Sequence, residues 1–148
     1  TPYAVLCVFG GLRPEREAPN MIDDDIQEGQ IFVPKEIAKD GEDRWNEPLT
    51  PNFDKWIRYI KKRDGSFQKV PNLKRKWINA KKSIGRDWPH DCLRHSYASY
   101  HFAHFNDAGL TAKNLGHPNT TLLKNDYNGA VTKAQAKAFW AILPSHCR

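Results

Sequence analysis

The chain has no run of about 18 apolar residues, so no membrane-spanning helix is expected. The opening Thr1-Pro2-Tyr3 lacks the basic n-region of a secretory signal, and the expectation is a soluble, cytoplasmic protein. Cysteine is scarce. Cys7, Cys92 and Cys147 form an odd, widely spaced set with no CxxC pair, which argues against a disulfide framework or a zinc site and for three reduced thiols. There is no internal repeat and no low-complexity segment. At 148 residues the chain has room for one domain with a real core, spanning residues 1–148, and not for a second full one.

Positive charge is also scarce in the first third. Residues 1–50 carry 5 Lys and Arg against 11 Asp and Glu, net −6, whereas residues 51–90 carry 12 against 3, net +9, and residues 91–148 carry 6 against 3, net +3. The middle block, with Lys69, Lys74, Arg75, Lys76, Lys81 and Lys82 among its cations, is the electrostatic footprint expected of a nucleic-acid binder. A charge run by itself is usually a solvated helix face.

Hydrophobic patterning predicts a mainly helical protein with one small antiparallel sheet, an α+β fold. Residues 3–9 are apolar throughout and stop at Gly10-Gly11, a short buried helix ended by glycine. Residues 14–20 read as a turn or short helix, and Asp23-Asp24-Asp25 precedes a hairpin. Its strands are residues 29–34 and 44–49, joined by the turn chemistry of Lys39-Asp40-Gly41-Glu42, so Lys39 sits near the tip. Thr50-Pro51-Asn52 starts a helix with a stripe of Phe53, Trp56, Ile57 and Ile60, and Pro71-Asn72 starts another with Leu73, Trp77, Ile78 and Ala80. Residues 90–105 predict a longer helix with Leu93, Tyr97, Ala98, Phe102 and Phe105 as its apolar positions. Short helices are expected over 111–115 and 121–127, and a final amphipathic one over 132–142 anchored by Phe139, Trp140 and Leu143.

The chemistry-bearing residues recur in a definite order. Arg13 follows Gly11-Leu12, Arg94 stands in Asp91-Cys92-Leu93-Arg94-His95-Ser96, His117 follows Leu115-Gly116, and Tyr127 comes ten residues later. Attack on a phosphodiester by a side-chain hydroxyl requires charge neutralised on the non-bridging oxygens, a proton removed from the nucleophile and a proton given to the leaving oxygen. Two guanidiniums suit the first task because each binds phosphate bidentately and stays charged. A histidine adds a hydrogen bond, and a phenol can attack.

These motifs, from about residue 4 to about residue 143, resemble the catalytic domain of the tyrosine recombinases, the phage integrase family. The resemblance implies that family's catalytic-domain fold and site-specific DNA recombination or integration by strand cleavage and rejoining. A 3′-phosphotyrosyl link conserves the bond energy, and no cofactor, metal or ATP is needed. It further implies Arg13 and Arg94 as the phosphate clamp, His117 as a donor to phosphate, Tyr127 as nucleophile and Lys39 as general acid toward the 5′ oxygen, with Lys35 a competitor for that last role. The partner is double-stranded DNA, contacted by Lys74, Arg75, Lys76, Lys81 and Lys82, and the full-length protein self-associates as a tetrameric synapse. The family's N-terminal core-binding domain is not in this sequence, so the chain reads as an excised catalytic domain of a bacterial or phage-derived mobile element.

Two positions depart from the family pattern. Its histidine three residues before the second arginine is Asp91 here, with His90 one residue earlier, so either His90 reaches the site or the position is chemically weaker. Three residues after Arg13 an acidic residue is usual and Arg16 stands instead, leaving Glu15 or Glu17 to orient the arginine. Other readings stay open at this level. They are a catalytically silent DNA-binding or assembly module of the same fold, a type IB topoisomerase-like relaxing enzyme, and a metallohydrolase built on Asp23, Asp24 and Asp25 or on His95, His101 and His104.

Overall fold

The computed structural model describes residues 2–65, 72–127 and 129–145. Lys69 of the basic block, Pro71 of the second helix start and the thiol of Cys147 lie outside the described residues. Helix α1 (Pro2–Val8) buries Tyr3, Val5, Leu6 and Cys7 and ends in the turn that carries Arg13. Two single 3₁₀ turns, Ala18–Asn20 and Asp23–Asp25, lead into an antiparallel sheet of β1 (Ile26–Gln27), β2 (Gln30–Val33) and β3 (Arg44–Asn46), in that order. Helices α2 (Pro51–Asp64), α3 (Leu73–Ile84), α4 (Cys92–Phe105), α5 (Ala108–Leu115), α6 (Thr121–Tyr127) and α7 (Lys133–Trp140) follow. Mainly helical with a small antiparallel sheet is therefore the architecture. Among the described residues, no helix is long and apolar enough to cross a membrane.

The expected hairpin is present, with β1 as an added short edge strand whose Ile26 pairs with Ile31. On β3 the pairing stops at Asn46, short of the 44–49 that the pattern predicts, because Pro48 has no N–H for the ladder. Alternation puts Ile31 and Val33 of β2 inside together with Arg44 and Asn46 of β3. Two polar residues on the inner face need partners there; Asn46 Nδ2 donates to the Gly10 carbonyl at 2.9 Å, which docks the sheet onto the end of α1. Phe53, Ile57 and Ile60 of α2 complete that side of the core.

The α3 stripe behaves differently from expectation. The helix buries none of its residues, and Ile78 is 40% exposed. It touches the body through Leu73 and through Trp77, which packs edge-on against Tyr3 at 5.1 Å and against Trp88 at 5.6 Å. Helix α4 begins at Cys92, two residues later than expected, because Asp91 adopts a left-handed backbone conformation (φ 54°). Its buried face holds Arg94 and His101 beside Tyr97 and Ala98, while Leu93, Phe102 and Phe105 are only partly covered. The last helix starts at Lys133 because Thr132 and Gln135 close a reciprocal cap, Gln135 N–H to Thr132 Oγ1 at 3.2 Å and Thr132 N–H to Gln135 Oε1 at 2.9 Å, and it ends at Trp140, where the N–H groups of Ala141 and Ile142 turn to the carbonyls of Ala138 and Phe139. Phe139 stacks on Tyr100 at 3.9 Å, and Trp140 Nε1 donates to the Tyr100 carbonyl.

A buried polar relay locks α4 to α5. Thr111 Oγ1 donates to the Asp107 carbonyl, so it accepts from His101 Nδ1–H at 2.7 Å. His101 Nε2 then faces Asn114 Nδ2, which also donates to the Tyr97 hydroxyl, while Asn114 Oδ1 accepts the Glu47 N–H. Each atom's role is set by the neutral imidazole; a second proton on Nε2 would confront an amide N–H. Burial, with His104 nearby, lowers the His101 pKa to about 3. The unfolded chain takes up this proton near pH 6.5 and the folded chain only near 3. The contribution to stability is therefore complete above the unfolded value and is lost as pH falls between the two. From pH 7 to pH 5 the loss should be about 2 kcal/mol. Chemical denaturation at both pH values should show His101→Gln less pH-sensitive than the parent by that amount, and equal slopes would contradict the relay.

Candidate functional site

The chain leaves α1 through Gly10-Gly11, and the turn is permitted by Gly11, whose φ is +72° and whose missing Cβ would sit 2.6 Å from the Tyr97 ring. That turn delivers Arg13 over Glu17. The Arg13 backbone N–H and its Nη1 reach the two oxygens of the Glu17 carboxylate at 2.9 and 2.7 Å. Arg44, from the inner face of β3, donates Nη2 to Glu17 Oε2 at 2.7 Å and Nε to Asn46 Oδ1 at 3.1 Å. Arg94 Nη1, from α4, lies 3.8 Å from the same oxygen. Three guanidiniums thus share one fully buried carboxylate. Burial by itself would raise the Glu17 pKa; the hydrogen bonds and charges of Arg44 and Arg13 outweigh it and hold the carboxyl below its ordinary range.

The arginines spend their other arms on the end of α5. Arg94 donates Nη1 to the Gly11 carbonyl and Nη2 to the Leu115 carbonyl, and Arg13 Nη2 donates to the Gly116 carbonyl at 3.3 Å. The carbonyls of Leu115 and Gly116 close a helix C-terminus, where cations are favoured. The helix ends as it does because Gly116 takes φ +58°. Its N–H returns to Lys113 O, and the His117 N–H to Ala112 O, both at 2.9 Å, which is the Schellman pattern. A Cβ on Gly116 would lie 3.0 Å from Arg44 Nη1 and 3.2 Å from Asp40 Oδ2. Burial together with Arg13 lowers the Arg94 pKa to about 10, so it remains cationic at neutral pH.

His117 is half-buried, and its Nδ1 is buried with no hydrogen-bond partner among the described residues. Its pKa is lowered, first by burial and then by the charges of Arg94, Arg13, Arg44 and His95. The histidine is therefore both the capping residue of α5 and a neutral ring facing the arginine cluster. Tyr127 ends α6 half-buried, with its hydroxyl hydrogen-bonded to His95 Nδ1.

Arg13, Arg94 and His117 accordingly meet at the end of α5, and Tyr127 is tied to them through His95, the residue after Arg94 on α4. Lys39 is exposed in the loop between β2 and β3, next to Asp40, whose carboxylate reaches Gly116; Lys35 is exposed on the same loop. His90 is held by Glu15, Nε2 to Oε1 at 2.9 Å. Asp91 has one buried oxygen without a partner among the described residues, and burial raises its pKa against the pull of Arg94 and His95. Of the two acids that could orient Arg13, Glu17 does so, and Arg16 points elsewhere, to the Glu36 carbonyl. On α3, Lys74 and Lys81 line a groove of about 510 Å³ with Trp77, Trp88, His90 and Asp91. At 100° per residue, Arg75 and Lys82 fall on a different stripe and Lys76 on a third, so the five basic residues do not form one surface. Arg44 is a site residue that no sequence motif singles out, and His95 stands in the motif around Arg94 and among the candidate metal ligands but carries no role in the phosphodiester chemistry expected from sequence. Arg44 reads in sequence as the first residue of a returning strand, and only period-2 alternation against a buried Val33 partner could have turned it inward. His101, one of the three histidines considered for a metal, is committed to Thr111, and among the described residues no three His, Cys, Asp or Glu side chains gather as a metal site.

Compared with protein-family models, curated proteins and solved structures, the chain finds no match.

Removing the shared carboxylate leaves three buried or half-buried guanidiniums without their counter-charge. Glu17→Ala should lower unfolding free energy at pH 7 by about 3–5 kcal/mol, measured by urea denaturation. The Glu17 pKa is depressed on folding, so its contribution is present above the ordinary glutamate range and is lost as pH falls through the folded value. The gap between parent and variant should therefore narrow in acid, and a gap that widens there would refute the assignment.

Proposed function

We propose that the chain cleaves and rejoins DNA through a 3′-phosphotyrosyl intermediate at Tyr127, in the manner of a tyrosine recombinase catalytic domain. One observation carries the reading: Arg13 and Arg94 grip the consecutive carbonyls of Leu115 and Gly116 beside a neutral His117 whose Nδ1 has no partner among the described residues. Two guanidiniums and an imidazole so arranged can surround the non-bridging oxygens of one phosphate. Each guanidinium has five N–H groups, and Arg13, the more exposed of the two at 16% against 6% for its side chain, makes the first contact. His117 donates to phosphate, Lys39 protonates the leaving 5′ oxygen from its exposed loop, and cations of α3 on the stripes that face DNA contact its backbone. Synapsis of several copies on double-stranded DNA completes a recombination event. A second reading, a catalytically silent DNA-binding module of the same fold, draws on Asp91, a half-buried carboxyl where the family carries a histidine.

The two readings part in one assay. A pool of nicked duplexes with randomised sequence around the nick should give a covalent adduct on a denaturing gel with the parent and none with Tyr127→Phe, while binding persists in both. No adduct with the parent would leave the silent module, and an adduct that survives Tyr127→Phe would show the wrong tyrosine named. Arg13→Lys and Arg94→Lys keep the charge and lose the fork, so each should slow adduct formation by roughly 10² or more. Replacing Lys74, Arg75 and Lys76 together by alanine should weaken binding equally for all sequences and flatten the salt dependence, by roughly 0.9 in log–log slope for each phosphate the variant no longer neutralises; an unchanged slope would exclude these three residues from the interface.

A further inference from the structure

The phenol proton of a tyrosine nucleophile has to be accepted by some group. His95, one residue after Arg94 on α4, has its Nδ1 hydrogen-bonded to the Tyr127 hydroxyl, with the two rings tilted by 33° and their centroids 6.0 Å apart. With the hydroxyl as donor in this pair, Nδ1 is the ring nitrogen that accepts. His95 is exposed, so an imidazolium formed there is solvated. The neighbouring groups are placed less well. His90 is occupied by Glu15, and Asp91 is a half-buried carboxyl beside Arg94. His117 faces Arg94, Arg13 and Arg44, whose charges oppose a further proton.

Resting on the cleavage reading above, we propose that His95 is the general base for Tyr127, its Nδ1 taking the hydroxyl proton as the phenolic oxygen attacks phosphorus. The Tyr127 Oη–P bond forms and the P–O5′ bond breaks. The phenol proton goes to His95, the departing O5′ takes a proton from the Lys39 ammonium, and both protons return when the strand is rejoined. The groups facing His95 are Asp91 on the N-terminal side of its own helix, His117 at the turn after α5, and Tyr127 on α6.

The test measures adduct formation on the randomised nicked duplexes, and on the same duplexes with sulfur replacing the bridging 5′ oxygen, whose thiolate leaves without protonation. His95→Ala should be slower by roughly 10²–10⁴ on both substrates, and imidazole in the buffer should restore the rate in proportion to its concentration. His95→Gln keeps an acceptor for the Tyr127 hydroxyl but cannot hold its proton, so it should remain slow and lose the acid limb of the pH–rate profile. Lys39→Ala should be slow on the oxygen substrate alone. Circular dichroism identifies any variant that fails to fold, and since His95 is exposed the Gln variant is the one that decides. A parent adduct with undiminished rates in His95→Gln, or an Ala defect that imidazole does not relieve with the acid limb intact, would overturn the assignment to His95 and leave the cleavage reading standing. Absence of any adduct with the parent would overturn both.

Discussion

One buried carboxylate organises the site. Glu17 has no exposed surface, yet it is ionised, because its two oxygens accept from Arg13 twice and from Arg44 once, with Arg94 close by. A lone carboxylate in such a place would take up a proton sooner than stay charged. The same is true in reverse for Arg44 and Arg94, 9% and 5% exposed, which could not stay buried without a counter-charge. Carboxylate and guanidiniums are therefore interdependent, and the turn after α1, strand β3 and helix α4 are held at fixed distances because each supplies one member.

Excess positive charge remains after Glu17 is counted, and the fold disposes of it at the end of α5. The last carbonyls of a helix are negative and unpaired within it; those of Leu115 and Gly116 receive Arg94 and Arg13. The arrangement needs glycine twice. Gly11 lets the first turn pass under the Tyr97 ring, and Gly116 lets the helix end tightly enough for Arg44 to pass beside it. His117 follows as the second capping residue, so its ring faces the arginines as a consequence of how the helix stops.

Helix α4 joins these parts because it is polar where a core helix is usually apolar. Arg94 reaches the cluster, Tyr97 and His101 enter the relay to α5, and His95 on the outer side meets Tyr127. Four residues of one helix thus touch the first turn, α5 and α6. A displacement of α4 would alter the guanidinium cluster and the His95–Tyr127 contact together, which ties the stability of the fold to the geometry of the site.

Periodicity and punctuation determined much of this. The apolar run stopped by Gly10-Gly11, the Thr50-Pro51 helix start and the stripe of Phe53, Ile57 and Ile60 all report local preferences of the backbone and the demand that one face be buried. The helices and the central hairpin are legible for that reason, as is the order Arg13, Lys39, Arg94, His117, Tyr127. What sequence could not determine is which charged residues go inside. Glu15 and Glu17 are chemically alike and two residues apart, yet one lies on the surface with His90 and the other becomes the buried hub. The choice depends on Arg44, which is 27 residues away along the chain from Glu17. Likewise α3 carries an apolar stripe whose Ile78 stays exposed, and His95 acquires its partner only because α6 returns to α4. Local pattern fixes the elements, whereas the partners of buried charges come from long-range packing, and pairings across tens of residues leave no periodic mark in the sequence.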